Sequence, residues 1–89
     1  QDSIKFWRDK NGREVDLVLE NAGNVVPLEI KFKPAIRLLD ETGLKAFMQQ
    51  YPKTKKAFLI NLGEQSKKGK INHILPYSMM QKLHARKSQ

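Results

Sequence analysis

The sequence predicts an α/β protein, more narrowly an α+β domain, built on a mixed β-sheet of about five strands. Three observations support this prediction. Residues 3–8, 14–20 and 25–32 alternate apolar and polar side chains with the period of two that is typical of strands. Residues 38–51 repeat apolar side chains at helical spacing, and residues 55–62 form a short continuous apolar run that is typical of a buried strand. A strand, a helix and a buried strand in this order predict a right-handed crossover between parallel strands.

Two short polar segments predict that the first three strands form consecutive hairpins. The segment DKNG after the first strand contains Asn-Gly, the strongest short hairpin signal, with either a two-residue loop or a three-residue loop and a bulge. The segment NAGN after the second strand is a turn, and a two-residue or a four-residue loop there gives the same register. In that register Asp16 faces Glu29, and Glu14 faces Lys31.

The other face of these strands is predicted to be apolar and to need a cover. It should carry Val15, Leu17 and Leu19 from the second strand, and Val26, Leu28, Ile30 and Phe32 from the third. In the crossover helix, core positions are predicted at Leu44, Phe47, Met48 and Tyr51, and Trp7 on the first strand is interpreted as a packing residue. Gly43 weakens the first turn of this helix, and Pro52 ends it.

The C-terminal part predicts one more strand and a short helix. Residues 65–70 read QSKKGK and are interpreted as a basic loop. Residues 71–75 are predicted to form a fifth strand at the sheet edge, with His73 as a surface residue. Pro76 then begins a short closing helix that is expected to end at Leu83.

The composition of the 89 residues indicates a single domain with an excess of positive charge. Seventeen Lys and Arg against nine Asp and Glu give a formal charge of +8, which suits a polyanionic partner such as nucleic acid but also simple solubility. The absence of cysteine excludes disulfides and fits a cytoplasmic location, and no apolar run is long enough to cross a membrane. Six lysines in two turns are candidates for contacts to a nucleic-acid backbone: Lys53, Lys55, Lys56, Lys67, Lys68 and Lys70.

The two facing carboxylates, Asp16 and Glu29, are the main indication of a functional site. Like charges directly opposite each other on paired strands are destabilising, so we expect the pKa of one of them to be raised in the absence of metal. A divalent cation would explain the arrangement, because Mg²⁺ typically binds through one or two carboxylates together with substrate phosphates. Lys31 projects to the same face, two residues beyond Glu29, where it could contact a phosphate or an attacking water.

An acid followed on the next strand by Glu-x-Lys resembles the PD-(D/E)xK nuclease superfamily, which has the restriction-endonuclease-like fold. Asp16 would match the first acid of that motif, and Glu29-Ile30-Lys31 the ExK element. The wording GREVDLVLE…VVPLEIK, followed by a helix and YPKTKKAFLINLG, is similar to the uncharacterised domain at the C-terminus of many prokaryotic AAA-type ATPases. The resemblance implies a βββαβ(β) core, and we expect residues 1–89 to be a fragment of a longer ATPase chain.

The resemblance also implies roles for individual residues. Asp16 and Glu29 would hold Mg²⁺ or Mn²⁺, Lys31 would steady the phosphate or the nucleophilic water, and Glu14 would be an auxiliary metal ligand. ATP would bind only in the parent chain, to an N-terminal ATPase domain that is the expected partner of this one. Superfamily members usually begin with a helix that often adds a further acid, and that helix would lie upstream of Gln1.

Two alternatives stay open at this point. In the first, the sheet face is ordinary protein surface, on which Glu14 and Lys31 form a cross-strand ion pair and Arg8 or Arg13 holds Asp16. In the second, the domain is catalytically inert and uses the same fold to regulate or target its ATPase.

Overall fold

The fold is a six-stranded mixed sheet with one helix packed on each face. The computed structural model describes residues 3–87. The sheet order is β1-β2-β3-β4-β6-β5, in which the β3–β4 and β4–β6 pairs are parallel and the other pairs antiparallel. The elements are β1 Ser3–Arg8, β2 Glu14–Asn21, β3 Asn24–Lys31, a 3₁₀ turn at Leu38–Glu41, α1 Thr42–Gln50, β4 Ala57–Asn61, β5 Ser66–Lys68, β6 Ile71–Ile74 and α2 Pro76–Lys87.

The sheet separates two apolar clusters because side chains alternate between its faces. The cluster under α1 includes Val15, Val18, Leu44, Phe47, Ala57, Leu59 and Ile71, and the cluster under α2 includes Leu28, Phe58, Ile74 and Met79. Trp7 packs on the α1-side cluster, with its ring edge-on to that of Phe47 at a centroid distance of 5.4 Å. The predicted mixed sheet and the packing role of Trp7 are confirmed.

The predicted β2–β3 register is also confirmed. Leu17 pairs with Leu28, and Asn21 pairs with Asn24. The loop contains Ala22 and Gly23, both with positive φ (51° and 83°), as a type I′ turn requires. The two strands therefore meet at the alignment that brings Asp16 beside Glu29.

A β-bulge in β2 changes the predicted distribution of side chains between the two faces. Lys5 of β1 pairs with Val18, but Trp7 pairs with Val15, so β2 carries one extra residue over this span. Leu17 lies against the α2-side cluster as predicted, whereas Val15 is fully buried in the α1-side cluster. The prediction that Val15 shares a face with Leu17 is wrong because the extra residue shifts the alternation.

Helix α1 approaches β2 closely at Glu14, just before the bulge. A Cβ on Gly43 would lie 1.9 Å from the carbonyl oxygen of Glu14, so only glycine fits there without movement of the backbone. The predicted single helix over residues 38–51 is divided, because its first four residues form the 3₁₀ turn. Asp40 fixes that turn by accepting hydrogen bonds from the Arg37 N–H (2.8 Å) and the Lys33 ammonium (2.9 Å).

Four further expectations require correction. Residues 66–68 are not loop but form β5, which pairs with β6 through a turn at Gly69 with φ 61°. Strand β6 is consequently interior, and β5 is the edge. Helix α2 continues past Leu83 to Lys87, and Phe32 is 71% exposed because β3 ends before it. No helix within residues 3–87 is long and apolar enough to cross a membrane.

Candidate functional site

The site begins where the ladder between β2 and β3 gives way to side-chain hydrogen bonds. Backbone pairing extends to Leu17 and Leu28, and Asp16 and Glu29 come next. Glu29 Oε1 accepts the backbone N–H of Asp16 at 3.1 Å, and Asp16 Oδ2 accepts the backbone N–H of Ile30 at 2.8 Å. Each carboxylate thus binds the opposite strand, which holds the two acids beside each other.

Both acids project toward the α1 side of the sheet. Leu28 lies in the α2-side cluster, so its neighbour Glu29 points the other way, and Leu59, the partner of Glu29 on β4, belongs to the α1-side cluster. The bulge lies between Val15 and Val18, where it aims Asp16 at Glu29. Bulges are common next to active sites for this reason.

Lys31 completes the group of three predicted catalytic residues. Its ammonium lies 3.4 Å from Glu29 Oε2, and its side chain remains partly exposed. Burial, with the exposed fraction of Glu29 at 8%, raises the pKa of this carboxyl, and the charge of Asp16 raises it further. Hydrogen bonds from the Asp16 N–H and from Lys31 oppose the rise without cancelling it. The expectation that one acid of the pair has a raised pKa is confirmed.

Glu14 lies apart from this group. Its carboxylate pairs with Arg8 across β1 and β2 at 3.5 Å. The prediction that Glu14 faces Lys31 is wrong, and the ion pair between them that the surface alternative requires does not form. The physical reason is that the β2–β3 ladder stops before Glu14, while Lys31 turns to Glu29. Arg13 binds Asp9 at 2.7 Å, so neither of the two arginines considered holds Asp16.

The donor set suits a hard cation with few protein ligands. Within residues 3–87 no cluster of three or more His, Asp or Glu side chains could hold a metal ion. Asp16 and Glu29 nevertheless offer two carboxylates, and Asp16 Oδ1 accepts no hydrogen bond from the described part of the chain. One or two carboxylates are the usual protein contribution to a Mg²⁺ that also binds phosphate.

A network around the buried Glu41 lies on the same face and was not predicted from the sequence, which placed His73 on the surface. Leu59 pairs with both Glu29 and His73, so the three residues lie in one row across β3, β4 and β6. His73 Nε2 lies 2.5 Å from Glu41 Oε2, and Lys45 Nζ lies 3.2 Å from Glu41 Oε1. Burial tends to raise the pKa of Glu41, but the hydrogen bonds from His73 and Lys45 outweigh it and lower that pKa. The separation of 32 residues between Glu41 and His73 left no local signal.

The two lysine segments, residues 53–56 and 67–70, contact each other but lie away from the carboxylates. Lys70 Nζ lies 3.4 Å from the carbonyl oxygen of Pro52, and the Lys70 carbonyl accepts the N–H of Ala57. Both lysine segments therefore lie where β4 and β6 begin, and Lys67 and Lys68 belong there to β5 and not to a turn. Glu29 and Lys31 lie where the parallel strand β3 ends. The six candidate lysines and the carboxylate site occupy opposite ends of the sheet.

Comparison with known proteins gives a family but no described activity. No curated protein and no solved structure matches the chain. A family model described as a domain of unknown function, DUF4143, matches residues 1–80 and so includes every strand of the sheet. The chain therefore belongs to the DUF4143 family.

Proposed function

We propose that this is a metal-dependent nuclease-like domain that acts on or binds the phosphodiesters of nucleic acid. The observation that carries the proposal is the contact group of Asp16, Glu29 and Lys31, in which two carboxylates lie side by side at the end of the β2–β3 ladder, beside an ammonium group. The formal charge of +8 suits a polyanionic substrate. The PD-(D/E)xK resemblance of these three residues supports the same reading.

The proposed roles follow from the contacts. Asp16 and Glu29 would hold Mg²⁺ or Mn²⁺, which when bound polarises a phosphoryl oxygen and lowers the pKa of a bound water. The N–H groups of Asp16 and Ile30 fix the two carboxylates, so the ligand geometry is set before metal arrives. Lys31 would balance charge on a phosphate or steady the attacking water. Glu14 has no ligand role in this proposal, because it pairs with Arg8 and is the neighbour of Val15, whose side chain lies on the α1 side.

The wider setting is part of the proposal. We infer that the domain follows an AAA-type ATPase domain in a longer cytoplasmic protein, and that ATP binds to that domain and not to this one. The basis is the likeness of REVDLVLE, VVPLEIK and YPKTKKAFLINLG to such C-terminal domains.

A second function is favoured by a separate observation. Ile4 and Phe6 on β1 are 66% and 62% exposed, and Leu38 and Leu39 in the 3₁₀ turn are 67% and 73% exposed. Exposed apolar groups of this kind suit a protein partner. The hydrogen bonds that Asp16 and Glu29 make to the opposite strand would then be their whole role, in an inert interaction or regulatory domain of the ATPase.

A plasmid-nicking assay with Mg²⁺ or Mn²⁺ separates the two functions. We expect nicking that is lost in Lys31→Ala but retained in Lys10→Ala, a matched change at an exposed lysine in the β1–β2 turn. The assay is run on this chain and on the full-length parent protein, because the ATPase domain could supply part of the substrate surface. Absence of metal-dependent nicking by the full-length protein would favour the inert domain.

A further inference from the structure

An open groove of about 930 Å³ lies at the end of the sheet opposite the carboxylates. We call it the lysine groove. Its walls are the β2–β3 turn at residues 23–26 and the segment at residues 50–56, which joins α1 to β4. Val25 and Val26 form an apolar part of its lining, and Lys53, Lys55 and Lys56 form a cationic part. A ligand that fits it should combine an apolar surface with negative charge.

The lysines that line this groove are not neutralised by ion pairs. Lys53, Lys55 and Lys56 are exposed, and none of them forms an ion pair within the described residues. Lys70 adds a fourth ammonium beside Pro52. In the sequence, residues 42–89 contain ten Lys and Arg but a single acid, Glu64, whereas residues 1–41 contain seven Lys and Arg and eight acids. The excess positive charge of the chain is therefore carried by the part that supplies the lysines of the groove.

Tyr51 supplies an aromatic surface in the lining of the same groove, beside these lysines. Its ring packs on that of Phe47 with a centroid distance of 4.7 Å, which restricts its movement, and 40% of the residue remains exposed. The sequence pattern assigned Tyr51 to the core because it ends the apolar stripe of α1. An exposed aromatic ring beside unpaired lysines is the combination used to stack bases of single strands.

We propose that the lysine groove binds single-stranded nucleic acid, with a base stacked on Tyr51 and the phosphates beside Lys53, Lys55 and Lys56. A duplex presents base edges and not base faces in its grooves, so a stacking ring requires an unpaired strand. The lysines that line the groove lie in the segment between α1 and β4, and not on a helix or strand that could enter a major groove. The proposal extends the proposed function, but binding in the groove does not itself need the carboxylates.

One nucleic-acid strand can contact both the lysine groove and the carboxylate site. Val25 and Glu29 are four residues apart on β3, a distance of roughly 13 Å at the usual rise of a strand. A nucleic-acid strand that is bound in the lysine groove would thus reach Asp16 and Glu29 without crossing the whole domain.

Fluorescence anisotropy with labelled oligonucleotides tests the proposal in EDTA, where no metal contributes. The probes are a 15-nucleotide oligo-dT, a 15-nucleotide oligo-U and a 15-base-pair duplex, each titrated with the 89-residue chain. We expect both single strands to bind more tightly than the duplex. Tyr51→Leu should weaken single-strand binding by about fivefold to a hundredfold, and Tyr51→Trp should retain it. Replacing Lys55 and Lys56 with Gln should reduce the slope of log K against log salt by about 1.4.

Matched changes outside the groove control for folding and for total charge. Tyr77→Leu removes an exposed tyrosine of α2, and Lys82→Gln removes an exposed lysine of the same helix, and both should bind like the unmodified chain. Equal affinity for duplex and single strands, or unchanged binding in a folded Tyr51→Leu variant, would overturn the proposal. Oligonucleotide binding is measured in EDTA and plasmid nicking in Mg²⁺, so a failed groove and a failed metal site give different results.

Discussion

Glu29→Gln should make the metal-free domain more stable at neutral pH. Glu29 is almost fully buried beside a second carboxylate, and burial and Asp16 together raise its pKa, which means that the folded protein resists its ionisation. A glutamine oxygen can still accept the N–H of Asp16, so the hydrogen bond between the strands is kept. The substitution removes only the 3.4 Å ion pair with the Lys31 ammonium.

The expected magnitude is on the order of 1 kcal/mol at pH 7. Like charges facing each other across strands cost roughly 0.2–1 kcal/mol, and the incomplete pairing of a buried charge adds to that cost. Because the pKa of Glu29 is raised in the folded state, its favourable contribution is present below the ordinary pKa of glutamate and is lost as pH rises through the folded value. The gain from Glu29→Gln should therefore be largest near pH 7 and absent below about pH 4.

Thermal and urea melts in EDTA at pH 4 and pH 7 measure this gain. One kcal/mol should raise the Tm of a domain this size by about 4–8 °C. Glu64→Gln is the matched control, since Glu64 is an exposed acid on a loop, and its change should stay within about 0.5 kcal/mol. A Glu29→Gln variant that is less stable than both the unmodified chain and this control at pH 7 would refute the reasoning.

Two further substitutions test contacts that surround the site. Gly43→Ala should destabilise the domain by about 1–3 kcal/mol in urea melts, because the alanine Cβ would lie 1.9 Å from the Glu14 carbonyl oxygen; stability within about 0.5 kcal/mol of the unmodified chain would contradict this packing. Glu41→Gln should cost about 1–3 kcal/mol at pH 7, because it removes the charge that His73 and Lys45 bind. Since the pKa of Glu41 is lowered, that cost should disappear as pH falls below the folded value, and a cost that persists at pH 2 would show that the charge is not the cause.

The register of β2 and β3 could be predicted from the sequence, because the residues of the turn and the alternation of apolar and polar side chains indicate the same alignment. Ala22-Gly23 favours a tight loop, and the apolar residues on both sides of it leave one alignment. That alignment brings Asp16 beside Glu29, so the main pair of the candidate site could be predicted from local signals. The shared sheet face of Glu29 and Lys31 follows from the same period of two.

The features that could not be predicted depend on contacts between residues distant in sequence, or on a change of strand register that no local residue pattern marks. The bulge that buries Val15 is set by pairing with β1, and its residues are unremarkable in composition. Strand β5 has no apolar side chains, since it is an exposed edge. The exposure of Tyr51 depends on where the segment before β4 runs, and the bond between Glu41 and His73 joins two distant elements.

Direct binding of Mn²⁺, followed by electron paramagnetic resonance at pH 7, tests the central claim that Asp16 and Glu29 form a metal site. We predict that the unmodified chain binds one Mn²⁺ saturably, that Asp16→Asn and Glu29→Gln weaken this binding by at least about tenfold, and that Glu64→Gln leaves it unchanged. An unmodified chain with no saturable binding at millimolar Mn²⁺, or an Asp16→Asn variant that binds as tightly as the unmodified chain, would contradict the claim.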